Sequence, residues 1–597
     1  MKDFFKNVFA TFVGIFLFVL VTLLLGFVCI FGMVLSSEST TEIENNSVLV
    51  INLSGPLSER SDKNVMAEFI GNVASGVSLE DVLSGIEKAK TNKNIKGIYI
   101  EAGAFAPNSY ASLQEIREAL IDFKKSHKWI VAYGDSYTQS AYYLASVAND
   151  VYLNPQGMLD WHGLSSQRIY LKDMLAKFGV KMQVSKVGTY KSATEMFTEE
   201  KMSDADRQQT STYLNGIWKY LLKGVSESRN IPIAKLNEYA DSVITFANPT
   251  SYLKMKLIDK LLYTDQVRNE VKKRLGINSD DEIHQISLTD LKAVEPAKGG
   301  SEVAVYYAYG DIVDSPVSNT SFNQHSIVGK DVCNDLKELM DDDDVKAVVI
   351  RVNSGGGSAF ASEQMWHQIM ELKKVKPVVV SMGGYAASGG YYMSVPANWI
   401  VAEPTTITGS IGIFGMFPDF SGLASEKLGI KFDEVKTNKN GTFGSTMRPL
   451  TPDEMRMLQV YIDRGYTTFK NRVAQGRNLT MAQVEAIAQG HVYTGEDALK
   501  IKLVDELGGL DKAVKKAAQL AKIDNYHKVS YPSPVNWFDQ IFGENVQDNY
   551  LNEQLYTSLG IFYQPFSILR TINQQSAIQA RLPYIKIGRA SCRERVC

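Results

Sequence analysis

Cysteine is scarce in this chain of 597 residues, which has only 4. Cys29 lies in an apolar run, Cys592 and Cys597 stand at the end, and only Cys333 lies in the body. That excludes a disulfide scaffold and a cysteine metal cluster. It does not identify the compartment, because a large core needs no disulfides. Histidine is also rare, at 7. None of His127, His162, His284, His325, His367, His491 and His527 sits in a Gly- or Ser-rich loop of the kind a catalytic triad uses. An excess of either charge is missing too: 63 Lys and Arg face 66 Asp and Glu, for a net charge of −3. Nothing here marks a nucleic-acid partner. The acidic run Asp341–Asp344 lacks EF-hand spacing and reads as a solvated turn before a strand. No cofactor or metal is called for.

Long apolar runs are absent but for one. From Val8 to Val34 no residue is charged, which is enough to cross a bilayer. A cleaved signal peptide would have a shorter apolar stretch and an A-x-A-like site, which Met33–Ser37 matches poorly. Lys2 and Lys6 precede the run, and Glu38, Glu42 and Glu44 follow it. The positive flank stays in the cytoplasm, so everything after residue 35 faces outward.

What the chain does contain is a repeat. Ile95–Ile100 (IKGIYI) matches Val345–Ile350 (VKAVVI), and Tyr142-Tyr143 matches Tyr391-Tyr392. Ala148-Asn149, Pro155 and Gly163 match Ala397-Asn398, Pro404 and Gly412. Leu253–Asp259 matches Leu499–Asp505. The offset stays near about 250 residues, which marks a duplication. Each copy alternates β-rich runs with amphipathic helices, predicting an α/β domain with a mainly parallel sheet.

The second copy carries the chemistry. Val378-Val379-Val380 runs into Gly383-Gly384, then Ala387-Ser388-Gly389-Gly390, then helical sequence from Tyr391. This is a strand, a tight turn and a helix start, with one serine at the turn. Small neighbours admit close approach to the Ser388 hydroxyl. A helix N-terminus just after it supplies free N–H groups. That suits a nucleophile that builds and stabilises an oxyanion. Upstream, the strand Val345–Ile350 ends in Asn353-Ser354-Gly355-Gly356-Gly357-Ser358, a loop able to present backbone N–H groups. In the first copy Gln139 stands in place of Ser388, and Ala104-Phe105-Ala106 in place of the glycines. Alone, that copy lacks the parts of a catalytic centre.

A triad remains formally open. Ala386-x-Ser388-x-Gly390 is one residue from the G-x-S-x-G elbow, with His491 downstream. The duplication argues against it.

Asn353-Ser354-x-Gly356-Gly357-Ser358, Ala387-Ser388-Gly389-Gly390-Tyr391-Tyr392 and Thr408-Gly409-Ser410-Ile411-Gly412 together resemble signal peptide peptidase A, in its long duplicated bacterial form. The resemblance runs from about Val48 to about Ile523; Gly355 stands where the family usually has Pro. It implies two tandem Clp protease/crotonase-like α/β domains after an N-terminal transmembrane helix. It also implies a Ser–Lys serine protease. Val187-Gly188-Thr189-Tyr190-Lys191-Ser192-Ala193 looks like the family segment that carries the general base, which maps onto Lys191. One site would then be assembled from both copies. Burial would lower the Lys191 pKa, leaving an amine that accepts the Ser388 proton. Gly356 and Gly389 are the expected oxyanion donors, with Gly357 as rival.

Thr405–Phe417, with Gly409, Ser410, Ile411 and Gly412, is expected to wall a groove that pairs with an extended peptide. The implied substrates are apolar peptides such as cleaved signal peptides, met outside the cytoplasmic membrane by a membrane-bound homo-tetramer. Rival readings are a crotonase-like acyl-thioester enzyme and a catalytically silent scaffold.

The expected divisions are 1–47 anchor and linker, 48–300 first repeat, 301–525 second repeat, and 526–586 an aromatic-rich arm. The last stretch, 587–597, resembles translated short-read sequencing adapter and reads as an artefact.

Overall fold

The computed structural model describes residues 2–36, 43–61, 76–293, 299–315, 325–533 and 578–582. The expected linker after the first helix and the 587–597 tail lie outside these residues, as does most of the expected arm. The chain opens with a helix, Lys2–Ser36. Its segment Lys6–Gly26 is long and apolar enough to cross a membrane and is left unburied by the described residues.

Two sheets follow, one per copy. The first has seven strands, all parallel, with Ser47–Ser58, Ile95–Ala106, Trp129–Tyr137 and Asp150–Leu159 adjacent in that order. The second has eight, with Ser301–Tyr309, Val345–Ser354 and Val378–Ala387 parallel at its centre. The central strands read as nearly unbroken apolar runs because helices cover both faces. Val348, Val349 and Ile350 are fully buried, as are Val378, Val379 and Val380.

The duplication extends to individual hydrogen bonds. Tyr142 Oη donates to Leu257 O and Tyr391 Oη to Leu503 O, both at 2.8 Å. Asn149 Oδ1 accepts from Ile130 N–H, and Asn398 Oδ1 from Val378 N–H. Arg229 forks onto Asp259, and Arg477 onto Asp505. The helices Asp204–Arg229 and Pro452–Arg477 each have 26 residues and end on a left-handed Asn. Asparagine is among the few side chains that adopt this conformation readily.

A third sheet, of six strands, joins the copies. In it Lys181–Lys186, from the first half of the chain, pairs antiparallel with Phe414–Asp419, from the second. The halves share an apolar core as well: Ala387, Ile407 and Val492 pack into the cluster of the first sheet. A buried ion cluster closes the junction. Arg351, at 1% exposure, bonds Glu115 Oε1 and lies 3.3 Å from Glu59 Oε1. Two segments beyond residue 525 have defined places. Tyr526–Tyr531 adds a parallel strand beside Ser301–Tyr309. Ile578–Arg581 enters the third sheet.

Candidate active site

The strand Val378–Ala387 ends at Ser388, whose backbone takes φ 53° and ψ −113°. The short helix Gly389–Ser394 starts at once. A non-glycine residue in this region is strained, and such strain persists where surrounding structure holds it. Here Ser388 N–H donates to Gly409 O at 2.8 Å. The neighbours must be small. A Cβ on Gly390 would lie 2.7 Å from Ser354 O, and one on Gly389 would lie 2.7 Å from Ser362 Oγ. Ser388 itself is fully buried.

Lys191 reaches this serine from the other copy. Its Nζ lies 2.7 Å from Ser388 Oγ, 3.0 Å from Ser410 Oγ and 3.1 Å from Ser410 O. None of these partners is charged. Lys191 is fully buried, and burial pushes its pKa well below the ordinary value of 10.5. Desolvation penalises the ammonium, and no opposite charge offsets it.

The loop bearing Lys191 is pinned from several sides. Tyr190 N–H donates to Gln489 O at 2.9 Å. Gln209 Nε2 donates to Tyr190 O and Ser192 Oγ, and Ser192 Oγ donates to Asp206 Oδ1 at 2.6 Å. Arg168 bonds the other oxygen of Asp206. Gly490, at φ +79°, lets its loop approach Lys191: a Cβ there would stand 2.7 Å from Lys191 Cα.

The glycine loop lies beside the serine. Asn353 Oδ1 accepts from Tyr385 N–H, which ties this loop to the serine strand. Gly356 N–H donates to Ser354 Oγ at 3.1 Å. Gly356–Ser358 forms a short strand, and Phe414–Asp419 forms another nearby. Between them runs Ile578–Arg581, antiparallel to both, with Gly357 opposite Ala580 and Gly415 opposite Ile578.

The structure thus brings together Ser388, Lys191, Gly356, Gly357 and Gly389. Gly409, Ser410, Ile411 and Gly412 are buried against the serine and lysine. Of the expected wall, Phe414 and Gly415 carry the pairing edge. Ser410, at φ 51°, turns the chain between these two duties. His491 does not touch Ser388; its ring packs against Tyr190 and Tyr493. Sequence reasoning missed Ser410 as a lysine partner and Glu59–Arg351–Glu115 as the junction. Both depend on contacts between residues distant in sequence.

A serine on a strained turn, hydrogen-bonded to a buried amine and flanked by glycine N–H groups, is the arrangement of a serine-type hydrolase. Comparison with known proteins sharpens the class. The sequence model of Peptidase family S49 matches twice, over residues 122–278 and 370–524. A Salmonella typhi protein named Protease 4 is 37% identical over 525 residues, covering 85% of this chain and 84% of that one. Protease 4 of Haemophilus influenzae is 35% identical over 518 residues, covering 83% of each. A chloroplastic serine protease SPPA of Arabidopsis thaliana is 30% identical over 501 residues, covering 82% of this chain and 71% of that one. The chain belongs to Peptidase family S49 and is a serine-type protease of that family, in its duplicated signal peptide peptidase A form.

Proposed function

We propose that this protease is a membrane-anchored endopeptidase in which Ser388 is the nucleophile and Lys191 the general base. The contact of 2.7 Å between Lys191 Nζ and Ser388 Oγ, inside a buried site, carries this reading. A neutral Lys191 takes the Ser388 proton as Oγ attacks the peptide carbonyl, then returns it to the leaving amine. Ser410, accepting from Nζ through Oγ and O, aims the remaining lone pair at Ser388. Gly389 N–H and the glycine loop stabilise the oxyanion. Within that loop Gly357 is the better donor than Gly356, whose N–H already meets Ser354 Oγ.

The groove reading rests on the paired edges of Gly356–Ser358 and Phe414–Gly415, which accept an extended chain through main-chain bonds. Leu458 and Ile462 line the floor at Gly415, which suits apolar substrates such as cleaved signal peptides. The helix Lys2–Ser36 is the anchor, with its lysine-bearing end cytoplasmic and the catalytic part outside. Exposed Leu428, Ile430, Phe432 and Val435 offer an apolar surface for self-association, in keeping with a homo-tetramer.

The test is a fluorophosphonate probe on detergent-solubilised full-length protein, read with turnover of an apolar peptide. Labelling at Ser388 that is lost in Lys191→Ala, together with lost turnover, is the expected result. Labelling and turnover untouched in Lys191→Ala would overturn the dyad. Turnover surviving Ser388→Ala would overturn the nucleophile.

A further inference from the structure

The side chain that holds the lysine loop also holds the serine's side of the site. The helix Asp204–Arg229 follows its N-cap Ser203 and turns Asp206, Gln209, Thr210 and Tyr213 to one buried face. Spacings of three and four residues put these side chains on the same side of the helix. A face packed into a core is ordinarily apolar. Here its first turns are polar, so each buried group needs a partner. Gln209, at 1% exposure, finds partners in both copies. Its Nε2 donates to Tyr190 O at 3.1 Å and to Ser192 Oγ at 3.2 Å, on either side of Lys191. The same nitrogen lies 3.0 Å from Asp206 Oδ1. Its Oε1 accepts from Val492 N–H at 3.2 Å.

Val492 belongs to the serine's side. In the strand Val492–Thr494 it stands opposite Gly409, whose carbonyl accepts the Ser388 N–H at 2.8 Å. The preceding His491 O accepts from Ser410 N–H at 2.7 Å. One amide therefore spans the two segments that must place Nζ against Oγ. Tyr190 O can only accept and Val492 N–H can only donate, so the bridging group must donate at one end and accept at the other. A side-chain amide does both without a charge. The other copy supplies the contrast. Gln209 is the sixth residue after its N-cap Ser203, and the sixth after Thr451, the N-cap of Pro452–Arg477, is the exposed Met457. The copy without the lysine has no amide at this place.

We propose that Gln209 is a positioning residue of the reaction, an inference that rests on the Ser388–Lys191 reading: it sets the amine on the serine by fastening the lysine loop to the strand that backs Ser388. With that tie cut, the loop swings and the contact of 2.7 Å is made only part of the time. Water then reaches Nζ and favours the ammonium form. The charged and titratable groups around the loop are otherwise engaged. Asp206 pairs with Arg168, Glu195 accepts from Ser203, and the His491 ring packs on Tyr190 and Tyr493. Nζ bonds none of them.

The test compares detergent-solubilised full-length wild type with Gln209→Met and Gln209→Glu. Turnover of an apolar peptide is followed against pH, and fluorophosphonate labelling is followed to completion. Methionine keeps the length and removes both ends of the bridge. In Gln209→Met, kcat should fall roughly 100-fold, the scale of a small misplacement of a reacting group, with KM unchanged. Its rising pH limb should move to higher pH, and the probe should label as many chains as in wild type, but more slowly. In Gln209→Glu the protonated carboxyl still donates and accepts, whereas the ionised one only accepts. That variant should show a descending limb at higher pH that wild type lacks. Wild-type kcat and limb in Gln209→Met, or a wild-type profile in Gln209→Glu, would overturn the proposal. So would a fall in kcat matched by an equal fall in the number of chains labelled, with the limb unmoved, since that is lost fold alone. Wild-type protein that does not label at Ser388, or has no rising limb, would instead sink the Ser388–Lys191 reading, and this proposal with it.

Discussion

The two copies share a scaffold down to matched Tyr, Asn and Arg–Asp bonds, yet they differ at one turn. In the second copy the strand ends on Ser388, left-handed and pressed into the site. In the first, Thr138 caps the following helix with ordinary extended backbone. Gln139 then turns its Oε1 onto the N–H groups of His162 and Gly163, both at 3.0 Å. The side chain that stands in place of the serine is tied down in hydrogen bonds of its own. What the first copy contributes instead is the pinned loop of Lys191. Its counterpart in the second copy, residues 430–450, is mostly exposed turns. One copy keeps the serine turn and the other the lysine loop, and the two meet in one place.

The largest effect should separate the two serine positions. Ser388→Ala should cut kcat on an apolar peptide by roughly 10^4-fold or more, the scale of losing a catalytic nucleophile. Gln139→Ser should add no activity to the Ser388→Ala chain, because Lys191 cannot serve both turns. Activity regained in that double variant would break the asymmetry between the copies.

Next is the lysine. The wild-type rate should rise with pH through the lowered Lys191 pKa, since only the neutral amine accepts the proton. Lys191→Arg should lose both rate and limb, because guanidinium stays protonated. The same burial has a stability consequence. Between its lowered value and 10.5, Lys191 is neutral when folded and charged when unfolded. The unfolded chain then binds more protons, so stability rises with pH across that window, by up to about 1.4 kcal/mol per pH unit. In Lys191→Met that rise should be missing, and denaturant midpoints at neutral pH should exceed wild type. A pH slope unchanged by Lys191→Met would mean the amine is not buried in the native state.

The junction comes third. Arg351→Met leaves Glu59 and Glu115 buried without their cation, and should cost about 3–5 kcal/mol, seen as a lowered melting temperature. Burial, and after it the neighbouring Glu115, pushes the pKa of the fully buried Glu403 well above the ordinary 4.5, which favours its neutral form. Glu403→Gln mimics that neutral form and should leave the melt nearly unchanged. A large loss in Glu403→Gln would mean that Glu403 is ionised when folded.

The smallest effect belongs to the emptied turn. Gln139→Ala strips the acceptor from two N–H groups and should cost about 1–3 kcal/mol, while peptide turnover by folded enzyme stays near wild type. A matching loss of turnover would tie the first turn to catalysis and narrow the contrast drawn above.

Much of this was legible in one dimension. The offset between Ile95–Ile100 and Val345–Ile350 announced two α/β units, because strands and helices leave periodic apolar patterns. The Ala387–Gly390 run announced a tight, crowded turn, because only small residues fit there. The substitution of Gln139 for Ser388 was visible as a missing nucleophile. Gly409–Gly412 was harder: its small residues suit a groove wall and a packed backing equally, and no local pattern shows that Ser410 meets the lysine. The strand Ile578–Arg581 could not be foreseen, since a short IQAR segment has no pattern of its own.

By itself, then, the sequence determined the apolar N-terminal helix, the duplicated α/β architecture and the family. These depend on local patterns and on a repeat that can be read without knowing which residues touch. The family resemblance led us to expect Lys191 beside Ser388, but only the tertiary structure supplied that contact, the hold of Ser410 on the amine, and Ala580 over the glycine loop. Lys191 and Ser388 are 197 positions apart. Their contact comes about where Lys181–Lys186 crosses between copies to pair with Phe414–Asp419 and Tyr190 N–H meets Gln489 O, and the lowered pKa of Lys191 follows from its burial there.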